Sequence, residues 1–158
     1  MTIPAGQPAG PPLARLFATA FRDLIDGLHD GLRRRGWTDV RPVHGFVLLA
    51  ARETAMSVTQ VATLLGTSKQ AAAKLVEQMV AAGYLERRPD DRDRRVVRVA
   101  LTDRGHELLG AVETVYAELE GQWAQVVGVD GVERLRADLE AVLRSRHGGQ
   151  LPAVRPTW

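Results

Sequence analysis

Two short stretches carry side chains whose types and spacing could do chemistry. Between Pro89 and Val96, the arginines Arg92, Arg94 and Arg95 are interleaved with Asp90, Asp91 and Asp93. Some twenty residues earlier, Ser68, Lys69, Gln70, Ala73 and Lys74 fall at spacings that share the start and one side of a helix. A guanidinium is planar and suits bidentate contacts to phosphates and base edges. A helix start offers a phosphate free N–H groups and the positive end of a dipole. Gln70 could pair with adenine through two hydrogen bonds, Lys69 and Lys74 could meet guanine or phosphate, and the small Ala73 would admit a thymine methyl. This is the chemistry of gripping a duplex. No nucleophile–base pairing, phosphate-cradling glycine loop or paired carboxylates accompany it, so neither an enzyme nor a cofactor is expected.

The composition is compatible with that reading. The chain has 158 residues, with 21 Lys and Arg against 19 Asp and Glu, 45% hydrophobic and 25% charged, as in ordinary globular proteins. Arginine outnumbers lysine 19 to 2. Residues 57–104 carry 9 basic and 6 acidic side chains, whereas residues 105–158 carry 5 and 8, so positive charge gathers where the two stretches lie. With no cysteine, disulfides, thiolate zinc sites and thiol redox sensing are excluded. The histidines His29, His44, His106 and His147 form no His-x-x-x-His pair on any one helix, so no metal site is expected. No apolar run approaches the roughly 20 residues that cross a bilayer, and the start has no signal-peptide pattern; a cytoplasmic protein without membrane contact is expected.

The elements that must position these side chains follow from periodicity. Residues 1–12 hold four prolines among small residues and read as a disordered arm. Leu13, Phe17, Phe21, Leu24, Leu28 and Leu32 keep helical spacing up to a stop at Gly36. Pro42 opens a second helix ending near Glu53. Val58, Val61, Ala62 and Leu65 predict a short helix closed by Gly66; Ser68 caps another, with Ala72, Leu75, Val76 and Met79 inward and Gly83 as its stop. The period then changes to two. Residues 84–88 and 95–101 predict a hairpin with a charged tip, with Val97, Val99 and Leu101 on one face. Thr102 caps a long helix over 103–127, and Asp130 with Glu133 is expected to form a capping box opening a last helix that ends near residue 147, before a loose tail over 148–158.

This order of elements is that of a winged helix-turn-helix: a mainly α fold with a small β-hairpin wing. The chain resembles the MarR family of bacterial transcriptional regulators. The resemblance rests on Val58-Thr59-Gln60-Val61-Ala62-Thr63-Leu64-Leu65-Gly66, Ser68-Lys69-Gln70, Gly83-Tyr84-Leu85-Glu86-Arg87-Arg88, Asp90 to Arg95, and Leu101-Thr102-Asp103-Arg104-Gly105, and it extends over residues 13–146. It implies a DNA-binding lobe over 57–104, flanked by dimerisation helices in 13–56 and 105–147. It also implies that Arg95 enters the minor groove while Asp93 holds its guanidinium; Arg94 would meet phosphate.

The resemblance further implies a homodimer reading a palindromic operator, and a repressor relieved by a small aromatic or amphipathic ligand. Candidate pocket residues are Trp37, Arg41, His44, Phe46 and Arg52, with Phe21, Ile25 and His29 beside them. An alternative stays open at this point, a winged-helix module that meets a protein partner without reading DNA.

Overall fold

The computed structural model describes residues 10–152. The expected disordered arm lies outside the described residues as far as residue 9, and the expected loose tail from residue 153 onward. Six helices and one hairpin follow in order: α1 Leu13–Arg34, α2 Pro42–Glu53, α3 Val58–Leu65, α4 Lys69–Ala81, β1 Leu85–Pro89, β2 Val97–Leu101, α5 Asp103–Val127 and α6 Val129–Arg146.

Local chemistry sets most of the boundaries. Ser57 accepts a hydrogen bond from the Gln60 N–H while the Gln60 side chain reaches back to the Ser57 N–H, a reciprocal cap that starts α3. Ser68 and Thr102 cap α4 and α5 in the same sense, through the N–H groups of Ala71 and Gly105. Gly66 and Gly83 take φ of 60° and 79°, so the chain reverses where a side chain would be strained. The N–H groups of Thr67 and Tyr84 then close onto the carbonyls of Ala62 and Met79.

One core holds the lobe together. Val47 and Leu48 from α2, Val61 and Leu65 from α3, Leu75, Val76 and Met79 from α4, Leu85, Val99 and Leu101 from the hairpin, and Leu108 and Val112 from α5 are all buried. β1 and β2 pair antiparallel, with Leu85 opposite Leu101 and Pro89 opposite Val97. Met56, just before α3, adds a third rung by exchanging both backbone hydrogen bonds with Val99. A one-residue bridge has no period, so nothing in the pattern announced it.

Three expectations need correction. The hairpin strands start one and two residues later than expected, because Asp93 to Val96 turn through a hydrogen bond from the Val96 N–H to the Asp93 carbonyl. Val97 shares the facing of Val99 and Leu101 but is exposed, since the hairpin tip extends past the core. The Asp130–Glu133 capping box does not form. α6 begins at Val129, directly after Gly128, whose φ of 79° makes the break from α5 in a single residue; Asp130 lies inside the first turn and Glu133 pairs with Arg136.

Close helix and turn contacts depend on missing side chains. A Cβ on Gly31 would come within 2.6 Å of Val115, and one on Gly27 within 2.7 Å of Leu119, where α1 crosses α5. A Cβ on Gly105 would overlap the backbone carbonyl oxygen of Tyr84, which cannot swing aside as a side chain can. Gly105→Ala should therefore destabilise the protein by about 1–3 kcal/mol. Gly110→Ala, on the same helix with nothing within 4 Å of its Cβ, should stabilise by up to about 1 kcal/mol. Urea midpoints of the two variants check the pair, and equal shifts would contradict the close approach at Tyr84.

Candidate nucleic-acid interface

The inner face of α4 is fixed by Ala72, Leu75, Val76 and Met79, all buried. Ser68, Lys69, Gln70 and Lys74 are consequently exposed and Ala73 is half-buried. Ser68, Gln70, Ala71, Ala73, Lys74 and Glu77 line one shallow, open depression, while Lys69 stands at the helix start. Among the described residues, no salt bridge engages Lys69 or Lys74. The helix thus offers small and polar groups without an aromatic anchor.

At the hairpin tip the carboxylates hold the main chain and leave the arginines free. Asp90 accepts hydrogen bonds from the N–H groups of Arg92 and Asp93, at 2.8 and 3.0 Å, and pairs with the guanidinium of Arg98. Chiefly that Arg98 contact, then the two N–H groups, pull the Asp90 carboxyl down to about 2. Asp93 accepts from the backbone N–H of Arg95 at 3.0 Å. The resemblance implied that Asp93 would hold the Arg95 guanidinium; here it shapes the backbone that carries Arg95. The guanidinium groups of Arg92, Arg94 and Arg95 make no hydrogen bond or ion pair among the described residues, and all three residues are exposed.

Arg98 was not singled out from the sequence, yet it fastens this tip to the rest. Besides Asp90, it donates to the Gln60 side chain at 3.0 Å and reaches the Ala55 carbonyl at 3.5 Å, joining the wing to the start of α3. Its alternation within β2 marked it only as an outward strand residue. The three aspartates at the tip are matched in number by Arg92, Arg94 and Arg95, so no imbalance of charge in the sequence pointed to Arg98.

The candidate pocket residues do not form one site. Trp37 lies under the Arg104 guanidinium, which also covers the Tyr84 ring, at 5.1 and 5.4 Å. Tyr84, fully buried, donates its hydroxyl to Asp39 at 2.6 Å and packs against the rings of Trp37 and His44. Arg41 leaves this cluster to donate to Gln78 on α4 at 2.6 Å, and Arg52 pairs with Glu113 on α5. Of the five, Phe46 lines the cleft between α2 and α5. Phe21 lies exposed on α1, with Ile25 and His29 half-buried, and none of the three lines that cleft. Among the described residues, no three His, Asp or Glu side chains gather as a metal site, and no helix is long and apolar enough to cross a membrane.

A sequence model of the MarR family matches residues 42–96, from the start of α2 to the tip of the wing. The transcriptional repressor MprA of Escherichia coli is 26% identical over 100 residues, which cover 63% of this chain. Residues 42–96 are thus similar to the MarR family. That match covers 57% of MprA, so the chain spans little more than half the length of this curated relative. Among solved structures, the transcriptional regulator BldR of Sulfolobus solfataricus superposes with a TM-score of 0.65 at 25% identity, covering 85% of this chain and 93% of BldR. The reduced form of MarR from Escherichia coli reaches 0.70 at 23% identity, covering 85% and 98%, a likeness of fold. The part matched by the family model is the lobe that carries α3, α4 and most of the wing, whereas α1, α5 and α6 lie outside it.

One member of the aromatic cluster makes a pH prediction. His44 is buried, its Nδ1 accepts the Arg41 N–H at 3.2 Å, and its Nε2 has no partner among the described residues. Burial chiefly, then the neighbouring Arg41, lower its pKa to about 4 against an opposing pull from Asp39. As pH falls, the unfolded chain takes up this proton first. The stability contributed by the neutral imidazole is complete above pH 6.5 and is lost from there towards pH 4. NMR titration of the His44 ring should give a midpoint near 4, and a midpoint at 6.5 would contradict its burial.

Proposed function

We propose that the chain is a homodimeric, sequence-specific DNA-binding transcriptional regulator that works in the cytoplasm as a repressor. One observation carries the reading: among the described residues, the guanidinium groups of Arg92, Arg94 and Arg95 are unpaired at the tip of a hairpin where Asp90 is taken up by backbone N–H groups and Arg98, and Asp93 by the Arg95 N–H. An exposed ion-paired hairpin would be worth only about 0–1 kcal/mol per pair and would leave no such surplus of charge. In this reading α4 enters the major groove with Ser68, Lys69, Gln70, Ala73 and Lys74, Arg95 enters the adjoining minor groove, and Arg94 meets phosphate. The match of residues 42–96 to the MarR family model and the similarity to MprA, named as a repressor, support it.

The dimer is supported by apolar surface that the lobe does not cover. Leu13, Leu16 and Phe17 on α1 and Val142 and Leu143 on α6 are exposed, and α6 buries no residue at all. A second copy brings these helices together and sets two recognition helices about one DNA turn apart. A small ligand then relieves repression. Arg41 and Arg52 are engaged with Gln78 and Glu113, and of Trp37, Arg41, His44, Phe46 and Arg52 it is Phe46 that lines the cleft between α2 and α5.

A protein-interaction module is the second reading. Interface centres are enriched in aromatic side chains, and the α4 face has none. Binding that ignores salt would favour it, because phosphate contacts release counterions.

Selection of bound duplexes from a random pool should return a palindrome. Arg95→Ala should weaken binding to it by about 1–3 kcal/mol, and Lys74→Ala should lower the salt slope by about one or relax one base preference. Unchanged affinity in both variants would remove the proposed reading surface. In native mass measurement the protein should weigh two chains, and Phe17→Glu with Leu143→Glu should yield one.

A further inference from the structure

The cleft between α2 and α5 has a volume of about 310 Å³, near the lower bound of small-molecule sites. Phe46, Leu109 and Val112 give it an apolar wall, and its polar groups come from one side of α5: Glu113, Tyr116 and Glu120. The two glutamates are seven residues apart, two helical turns or about 10 Å along the axis, with the phenol between them. No basic residue lines the cleft.

Both glutamates have a guanidinium neighbour, and in both cases one oxygen is left over. Arg52 takes Oε1 of Glu113, and Arg136 takes Oε2 of Glu120, but neither arginine is part of the cleft wall. Arg136 is shared with Glu133, so the group of Glu120, Arg136 and Glu133 keeps one net negative charge. Glu113 Oε2, Glu120 Oε1 and the Tyr116 hydroxyl make no hydrogen bond among the described residues. Burial raises the Tyr116 pKa, so the phenol adds no charge of its own.

We propose that this cleft binds a lipophilic organic cation, an amine or quaternary ammonium carrying a small apolar ring or chain, with its charge at Glu113 or Glu120 and its apolar part against Phe46, Leu109 and Val112. This rests on the reading of the chain as ligand-controlled and assigns that ligand its charge. Arg41 and Arg52, the handles expected from the sequence, would have suited an anion. Arg41 is engaged with Gln78 away from the cleft, and Arg52 is held at Glu113 Oε1 without lining it, so the carboxylates set the sign.

The test is calorimetry without DNA, using three probes of similar shape: 3-phenylpropyl-trimethylammonium, 4-phenylbutyrate and the neutral 3-phenylpropanol. The cation should bind more tightly than the anion by about tenfold or more. Glu113→Gln with Glu120→Gln should abolish that preference and leave the neutral alcohol unaffected. Ala117→Phe, which fills the cleft from its wall, should abolish binding of all three. Equal or tighter binding of the anion, a preference that survives the double substitution, binding that survives Ala117→Phe, or no binding by any probe overturns the proposal. Because the assay contains no duplex, failure of DNA selection with the cation preference intact would sink the regulator reading alone, and the converse would sink only the ligand assignment.

Discussion

The joint where α4 gives way to the hairpin is the constraint on which the rest of the lobe depends. Gly83 turns the chain out of the helix with positive φ, Tyr84 is buried beneath it, and the Thr102 N–H binds the Tyr84 carbonyl at 3.1 Å while the Thr102 hydroxyl donates to the Gly83 carbonyl. Gly105 must have no side chain for α5 to start against that same carbonyl. The end of α4, the root of both strands and the first turn of α5 therefore meet at a few backbone atoms. Rigid backbone hydrogen bonds, unlike long surface side chains, leave little freedom in the angle between α4 and the wing.

Two side-chain ties extend from that joint. Arg98 links Asp90 in the wing to Gln60, which itself caps α3, so one guanidinium holds the hairpin tip to the start of the helix-turn-helix. On the other side, Tyr84 reaches Asp39 and Arg41 reaches Gln78, so the segment between α1 and α2 is fastened to both ends of the joint. Pro42, next to Arg41, lines the cleft between α2 and α5. Cleft and α4 are therefore separated by one residue and one hydrogen bond. Arg92, Arg94, Arg95, Lys69 and Lys74 lie outside both ties and are exposed.

The amphipathic stripes, the caps and the glycine stops were legible because each is a local rule. Ser57 with Gln60, Ser68 and Thr102 start helices wherever their side chains can reach an N–H three residues on, and Gly66 and Gly83 stop them irrespective of what packs nearby. The same local reading misplaced the start of α6. Asp130 and Glu133 have the residues of a capping box, but Gly128 had already turned the chain, and a backbone break of that kind takes precedence over a side-chain cap. The bond from the Arg95 N–H to Asp93 is also local, but a spacing of two does not by itself say which part of Arg95 an aspartate meets.

What the sequence determined by itself is the order and ends of the helices, the basic character of the wing and the side of α4 left for a partner, because these depend on periodicity and on hydrogen bonds spanning three or four residues. The tertiary structure alone decided the pairing of Arg98 with Asp90 and Gln60, the scattering of Trp37, Arg41, His44, Phe46 and Arg52 among three environments, and the acidic lining of the cleft. Those outcomes join residues up to about sixty positions apart, such as Arg52 and Glu113. Which of many possible partners a long charged side chain meets is settled by how the helices cross, and no local pattern records that.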